Sequence, residues 1–349
     1  MEGPMTTVVI TGASAGVGRA VVRRFAAPGV KIGLIARNRD RLETAAREVR
    51  DAGGEALVLP LDVADAAAVE AAAQQVEDRF GPLDIWVNIA MVTVISPVDK
   101  MTAEEYRRVT EVTYLGAVHG TMSALKRMKP RDHGTIVQVG SALAYRSIPL
   151  QSAYCAAKAA MIHFTDSLRT ELLHDNSRIK LTAVQLPAVN TPQFDWARNK
   201  MPYRVQPVPP IFEPEVIADA IHHAAHHPRR EFWLGWSAVK AIGSEKIAPS
   251  IGDHYLAATG CSGQMTDTPA PVERPDNLFD SVDGAYGARG RFSDRAGNTS
   301  PAIWTSEHRG AVMAGVVAAA GIGVAATLTA IFSKPSRGRA LARAPRHRS

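Results

Sequence analysis

The chain has 349 residues, 46% of them apolar and 21% charged, which is the composition of a folded protein and excludes a disordered one. Its formal net charge of +6 is carried by the last stretch, 333–349, where Lys334, Arg337, Arg339, Arg343, Arg346 and Arg348 stand without an acid. A neutral body with a basic tail argues against a nucleic-acid-binding fold. The two cysteines, Cys155 and Cys261, exclude a disulfide framework, and neither has a second ligand at zinc spacing.

Residues 1–6 carry neither a basic stretch nor the apolar core of a secretion signal, so the catalytic body is expected in a reducing cytosol. Residues 7–11 (TVVIT) are a short β-branched run, read as a buried parallel strand. The turn that follows, Thr11-Gly12-Ala13-Ser14-Ala15-Gly16-Val17-Gly18, opens a helical pattern over 17–26. Glycine is needed where the chain takes positive φ or where backbone must approach a phosphate closely. The free N–H groups of the new helix attract a pyrophosphate. Gly12, Ser14, Gly16, Val17 and Gly18 are therefore candidate cofactor-binding residues.

A second strand over 30–36 (VKIGLIA) runs into a charged helix over 39–52. At that strand's end an acid would hold the adenosine ribose and repel a 2′-phosphate, but the sequence has Ala36-Arg37-Asn38-Arg39. A guanidinium fork suits a phosphate, so Arg37 favours NADP(H) over NAD(H), the bland alternative being solvated charges at a helix start. A third strand, 56–61, and a third helix, 66–80, complete the first half. Further strands are expected at 83–89, 134–139, 179–186 and 231–234, with long helices over 102–128 and 152–173. Strand alternating with helix implies α/β architecture: a doubly wound parallel sheet, a Rossmann-type three-layer sandwich, with ligands outside the carboxyl ends of the strands.

Tyr154 and Lys158 lie a turn apart on one face of the 152–173 helix. A free tyrosine exchanges protons poorly at neutral pH, and a lysine cation beside it lowers its pKa toward the working range. Ser141 follows the fifth strand at its carboxyl end, where its hydroxyl can hold a substrate carbonyl.

These pieces together resemble the short-chain dehydrogenase/reductase family over about residues 6–236. The matching segments are TGASAGVG at 11–18, Asp62-Val63, Asn88 in VNIA, Ser141, the Tyr154/Lys158 pair and Pro187-Ala188-Val189-Asn190-Thr191, all in family order. The resemblance implies that Asp62 and Val63 flank the adenine and that Asn88 supports the cofactor. It implies too that Pro187 and Thr191 touch the nicotinamide end and that Lys158 binds the nicotinamide ribose. It also implies a homodimer or homotetramer formed through the two long helices. Two positions depart from the family's pattern. Asn88-Ile89-Ala90-Met91 lacks the second Asn and the Gly, and Thr113 stands where an Asn supports a proton-relay water. The expected activity is NADP(H)-linked interconversion of a carbonyl and an alcohol. The alternative is a nucleotide-binding scaffold or sensor with little turnover.

Phe194, Trp196, Met201 and Tyr203 fall in the family's variable substrate loop, between 191 and 214, and point either to a hydrophobic substrate or to a loop packed down by its own side chains. His222, His223, His226 and His227 form two i, i+4 pairs, but without a third ligand they are read as a solvated helix end, and no metal site is expected. The Rossmann domain is placed at 1–258 and an irregular linker or surface arm at 259–308, whose spread aromatics Phe279, Tyr286, Phe292 and Trp304 allow parts of it to dock on the body or on a second subunit, with an apolar helix at 309–332 and the basic tail at 333–349. Residues 310–332 carry no charge, and as a helix they would span roughly 35 Å, enough for a bilayer core. The two readings are a membrane-associated segment and an Ala-rich helix buried in an oligomer.

Overall fold

A computed structural model describes residues 6–247 and 249–299. Seven apolar runs form one parallel sheet: β1 (Thr6–Thr11), β2 (Val30–Ala36), β3 (Glu55–Pro60), β4 (Ile85–Asn88), β5 (Thr135–Ser141), β6 (Lys180–Leu186) and β7 (Glu231–Trp233). Their spatial order is β3-β2-β1-β4-β5-β6-β7. The order reverses between β1 and β4, and at such a switch point the connections leave in opposite directions and open a crevice at the carboxyl ends of the strands. The expected doubly wound, Rossmann-type fold is the one observed.

Alternate residues of each strand face opposite ways, so helices on both faces leave strands apolar throughout. On one face Val8, Ile10, Ile32 and Leu34 pack with α1 (Gly16–Phe25), α2 (Arg39–Asp51) and a later helix over Pro214–His226. On the other, Val9, Ile35, Leu59, Trp86 and Ile136 pack with α3 (Ala66–Phe80) and with the two long helical segments read from the sequence. Asn38 and Asp65 cap α2 and α3 by accepting the N–H groups of Arg41 and Ala68.

The expected helix over 102–128 is interrupted. A capping box of Thr102 and Glu105 starts α4 (Ala103–Thr110), a π turn occupies Glu111–Leu115, and α5 (Gly116–Met128) follows. The π turn carries Thr113, and such turns concentrate at functional sites. The helix α6 (Ser152–His174) runs unbroken. Beyond it come α7 (Gln193–Trp196), α8 (Pro214–His226), α9 (Gly235–Ile247) and α10 (Pro249–Thr259).

The described part of the arm docks on the body, one of the two placements its spread aromatics allow. The Met265–Pro269 strand pairs antiparallel with Tyr203–Val205, Ala296–Gly297 pairs with Ile211–Phe212, and Leu278, Ala288 and Phe292 are fully buried. The described part of the arm, 259–299, belongs to the same compact unit as the sheet. Periodicity could not reveal this, because isolated side-chain anchors and backbone carbonyls hold the arm down, not a repeating apolar face. The expected apolar helix at 309–332 and the basic tail at 333–349 lie outside the described residues. Among the described residues no helix is long and apolar enough to cross a membrane.

Candidate active site

The glycine turn joins β1 to α1. Gly12 adopts φ +72°, and a Cβ there would sit 3.0 Å from the Ala90 backbone. Gly18 is more constrained, since a Cβ would fall 2.0 Å from the Gly12 carbonyl oxygen. Thr11 Oγ1 accepts the N–H groups of Ile89 and Ala90 at 3.0 and 3.2 Å, pinning the end of β4 against the turn. No side chain caps α1, so its N-terminal N–H groups face the cleft, and that of Gly16 donates to the carbonyl of Gly287 in the arm at 3.0 Å.

One cavity of about 1080 Å³ runs from this turn in both directions, at the upper end of the roughly 300–1,000 Å³ of small-molecule pockets. Toward β2 and β3 it is lined by Arg37, Asn38, Arg41, Asp62 and Val63. Arg37 donates from Nη1 to the Phe279 carbonyl and from Nη2 to the Asn277 carbonyl, both at 2.6 Å. Burial pushes its pKa down from the ordinary value, opposed by the nearby Asp62 carboxylate. Two of its five guanidinium N–H groups are thereby engaged. Asp62 accepts from the Ala64 N–H and pairs with Arg108. Arg39, in contrast, is exposed and lies outside the cavity wall. Arg41 was not singled out from the sequence. It is buried, its guanidinium lies 5.1 Å from the Trp196 ring, and its Nε has no hydrogen-bond partner among the described residues.

In the other direction the cavity reaches Ser141, Tyr154 and Lys158. Ser141, the last residue of β5, accepts the Leu143 N–H at Oγ (3.2 Å), which leaves its own hydroxyl proton to donate. Lys158 is buried with its ammonium 5.8 Å from the Tyr154 ring centroid, donating to the Val139 carbonyl at 2.7 Å. Burial pulls the Lys158 pKa down to about 8. Desolvation by the cavity wall pushes the Tyr154 phenol above its ordinary value and the neighbouring Ser141 hydroxyl offsets part of that, which corrects the lowering expected from the Lys158 cation. Pro187 and Thr191 line the cavity beside the glycine turn, with Thr191 against Gly16. Cys155, next in sequence to Tyr154, is a buried core residue.

Three residues behave differently from expectation. Asn88 does not reach the cavity; its amide accepts from Trp86 Nε1 and donates to Ala117, Thr121 and Gln138, which corrects the expected cofactor contact to a tie between β4, α5 and β5 beneath the cleft. The Thr113 hydroxyl accepts the Val92 N–H at 3.1 Å and donates to the Val92 carbonyl at 3.0 Å, so its proton is committed to backbone and only one acceptor lone pair remains for a relay water. Met91, which stands where the family's pattern has Gly, lines the cavity. Of the four bulky loop residues, Phe194 and Trp196 line the cavity, whereas Met201 and Tyr203 do not. The histidines close α8, with His226 stacked on Phe25 and His222 tilted against both rings, and no metal-binding cluster occurs among the described residues. Asn277 and Ser281 of the arm also line the cavity, and only their fold placement reveals it.

A family model described as short chain dehydrogenase matches residues 6–201. The chain is 30% identical over 321 residues to the uncharacterized oxidoreductase YxnA of Bacillus subtilis (strain 168), covering 89% of this chain and 88% of that protein. It is also 30% identical over 225 residues to a fatty acyl-CoA reductase of Acinetobacter baylyi, covering 64% and 74% of the two chains. Among solved structures, an alcohol dehydrogenase from the archaeon Thermococcus sibiricus, complexed with 5-hydroxy-NADP, is similar with a TM-score of 0.56 and 28% identity, covering 65% of this chain and 94% of that one.

Proposed function

The chain belongs to the short-chain dehydrogenase/reductase family, and from that premise we propose that it is an NADP(H)-dependent oxidoreductase interconverting a carbonyl and an alcohol on a hydrophobic small molecule. The observation that carries the reading is the single cavity with a phosphate-type turn and Arg37 at one end and Ser141, Tyr154 and Lys158 at the other. The residues fit the nucleotide. The N-terminus of α1 lacks a side-chain cap, the turn excludes any Cβ at Gly18, Arg37 keeps three N–H groups for a 2′-phosphate, and the buried Arg41 Nε is an orphaned donor in the same wall. Gly12, Ser14, Gly16, Val17 and Gly18 would cradle the pyrophosphate, Asp62 and Val63 the adenine, and Pro187, Thr191 and Lys158 the nicotinamide end. The solved relative complexed with 5-hydroxy-NADP supports the same choice of cofactor.

The bound nicotinamide supplies or takes the hydride. In the reducing direction Ser141 donates a hydrogen bond to the substrate oxygen, and Tyr154 gives that oxygen its proton as charge develops there. The Lys158 ammonium, buried and short of counter-charge, stabilises the phenolate left behind. Two of its three N–H groups remain after the bond to Val139, enough for a ribose hydroxyl and for proton return. Phe194 and Trp196 in the wall favour an apolar substrate, in keeping with the fatty acyl-CoA reductase among the relatives. Pairing through α4–α5 and α6 into a homodimer or homotetramer accords with the exposed Met122 and Leu173 on those helices. The test is oxidation of NADPH and NADH by the purified chain across aldehydes and ketones of increasing apolar length. NADPH-linked turnover rising with apolar length is expected. Tight NADPH binding with no turnover on any carbonyl would favour the scaffold or sensor.

A further inference from the structure

Residues 277–287 have no helix or strand, yet they lie where the nucleotide reading puts the adenosine and pyrophosphate. Their carbonyls face the cations of the cleft: Asn277 and Phe279 take Arg37, Leu278 takes Arg108 at 2.9 Å, Val282 takes Arg41 at 2.6 Å, and Gly287 takes the Gly16 N–H. Leu278 is a fully buried anchor in the core cluster that contains Val63 and Val112. Further on, the Gly290 N–H donates to the Asn190 carbonyl, fastening the arm to the loop that holds Thr191.

We infer that residues 277–287 form a roof over the adenosine half of the nucleotide site, and that this roof must lift each time the nucleotide enters or leaves. The inference rests on the NADP(H) reading of the same cleft. With the arm in place the cavity still runs past Arg37, Asp62 and the glycine turn to Tyr154, and Asn277 and Ser281 belong to its wall. The arm therefore covers the nucleotide's course without filling the cavity, and the Gly287 carbonyl must release the Gly16 N–H when the pyrophosphate binds. A segment held by carbonyl-to-arginine bonds and a few apolar anchors opens at lower cost than the paired strands beneath it. Nucleotide exchange is then governed by that local opening and runs slower than free encounter. The roof also acts on selectivity, because two of its carbonyls fix the plane in which Arg37 presents its remaining N–H groups.

The test uses the full chain and NADPH fluorescence in stopped flow, with association and dissociation rates measured separately. Two substitutions unseat the arm from different ends. Leu278→Ala removes its buried anchor. Gly290→Ala brings a Cβ to 2.5 Å from the Thr191 carbonyl oxygen, a backbone atom that cannot swing aside. Thermal melting identifies any variant that fails to fold, in which case the other carries the test. The roof predicts that both rates rise by about tenfold or more while the Kd moves by less than about threefold. A faster association with unchanged dissociation would mean that the arm competes with the nucleotide, which overturns the roof. Unchanged rates in both variants would overturn it as well. Failure of the unaltered chain to bind NADPH would instead sink the cofactor reading, and the roof with it.

Discussion

Replacing Lys158 by methionine isolates the electrostatic strain on which the catalytic pair depends. The ammonium is buried beside β5 with one carbonyl as its hydrogen-bond partner, and its pKa falls from 10.5 to about 8. The unfolded chain holds that proton to higher pH than the native one, so between about 8 and 10.5 the unfolded state binds more protons. Native stability therefore rises with pH across that window, and below pH 8 the charged lysine is a standing cost. At about 1.4 kcal/mol per tenfold difference in proton affinity, the gap corresponds to about 3 kcal/mol. Urea unfolding of the original chain and of Lys158→Met, from pH 7 to pH 10, reads this directly. The stability difference between the two should shift in favour of the lysine form by about 2–3 kcal/mol over that range. Parallel curves would refute the reasoning, since they would mean that the lysine is not strained in the native fold and has no drive to stabilise a phenolate.

Arg37→Asp removes a donor to the 2′-phosphate and places a like charge beside it; at about 1.5–3 kcal/mol for a charged hydrogen bond, the ratio of NADPH to NADH efficiency should fall roughly 10–150-fold, and an unchanged ratio would contradict the assignment. Gly18→Ala forces a Cβ to 2.0 Å from the Gly12 carbonyl oxygen, so the turn must open; fluorescence titration should give a loss of NADPH affinity of about tenfold or more, with about 1–3 kcal/mol lost in stability. Thr113→Val keeps the shape but strands the Val92 N–H and carbonyl; denaturant unfolding should show a loss of about 2 kcal/mol or more, and an unchanged midpoint would mean that the hydroxyl does not hold the strand end.

The sheet was legible because its signal is local. Runs such as VKIGLIA and TIVQVGS are mostly apolar because both faces are covered, and the first strand stops at Gly12 where the cleft begins. Ser141, Tyr154 and Lys158 were legible for a related reason: strand end and helix start place them, and their separation in sequence translates into proximity by the regular crossover. Asn88 misled because its position at the end of β4 fits two roles equally, and only the partners Trp86, Thr121 and Gln138 decide between them. The course of the arm over the cleft is illegible in the sequence for another reason. What holds residues 277–287 is mostly main-chain carbonyl on arginine, a bond that any side chain at those positions permits and that leaves no pattern in the sequence. Arg41 was overlooked with it, because its cavity position depends on Trp196 and the Val282 carbonyl, both remote in the chain.

The central claim is that Tyr154 exchanges the proton in a hydride transfer from NADPH. It is tested most directly by single-turnover reduction of the best carbonyl substrate under saturating NADPH, comparing the original chain with Tyr154→Phe. The phenylalanine keeps the ring and the packing and removes only the hydroxyl. A general acid contributes about 10²–10⁴-fold, so the rate of NADPH oxidation should fall by that order while NADPH affinity stays the same. Equal single-turnover rates in the two proteins would contradict the account.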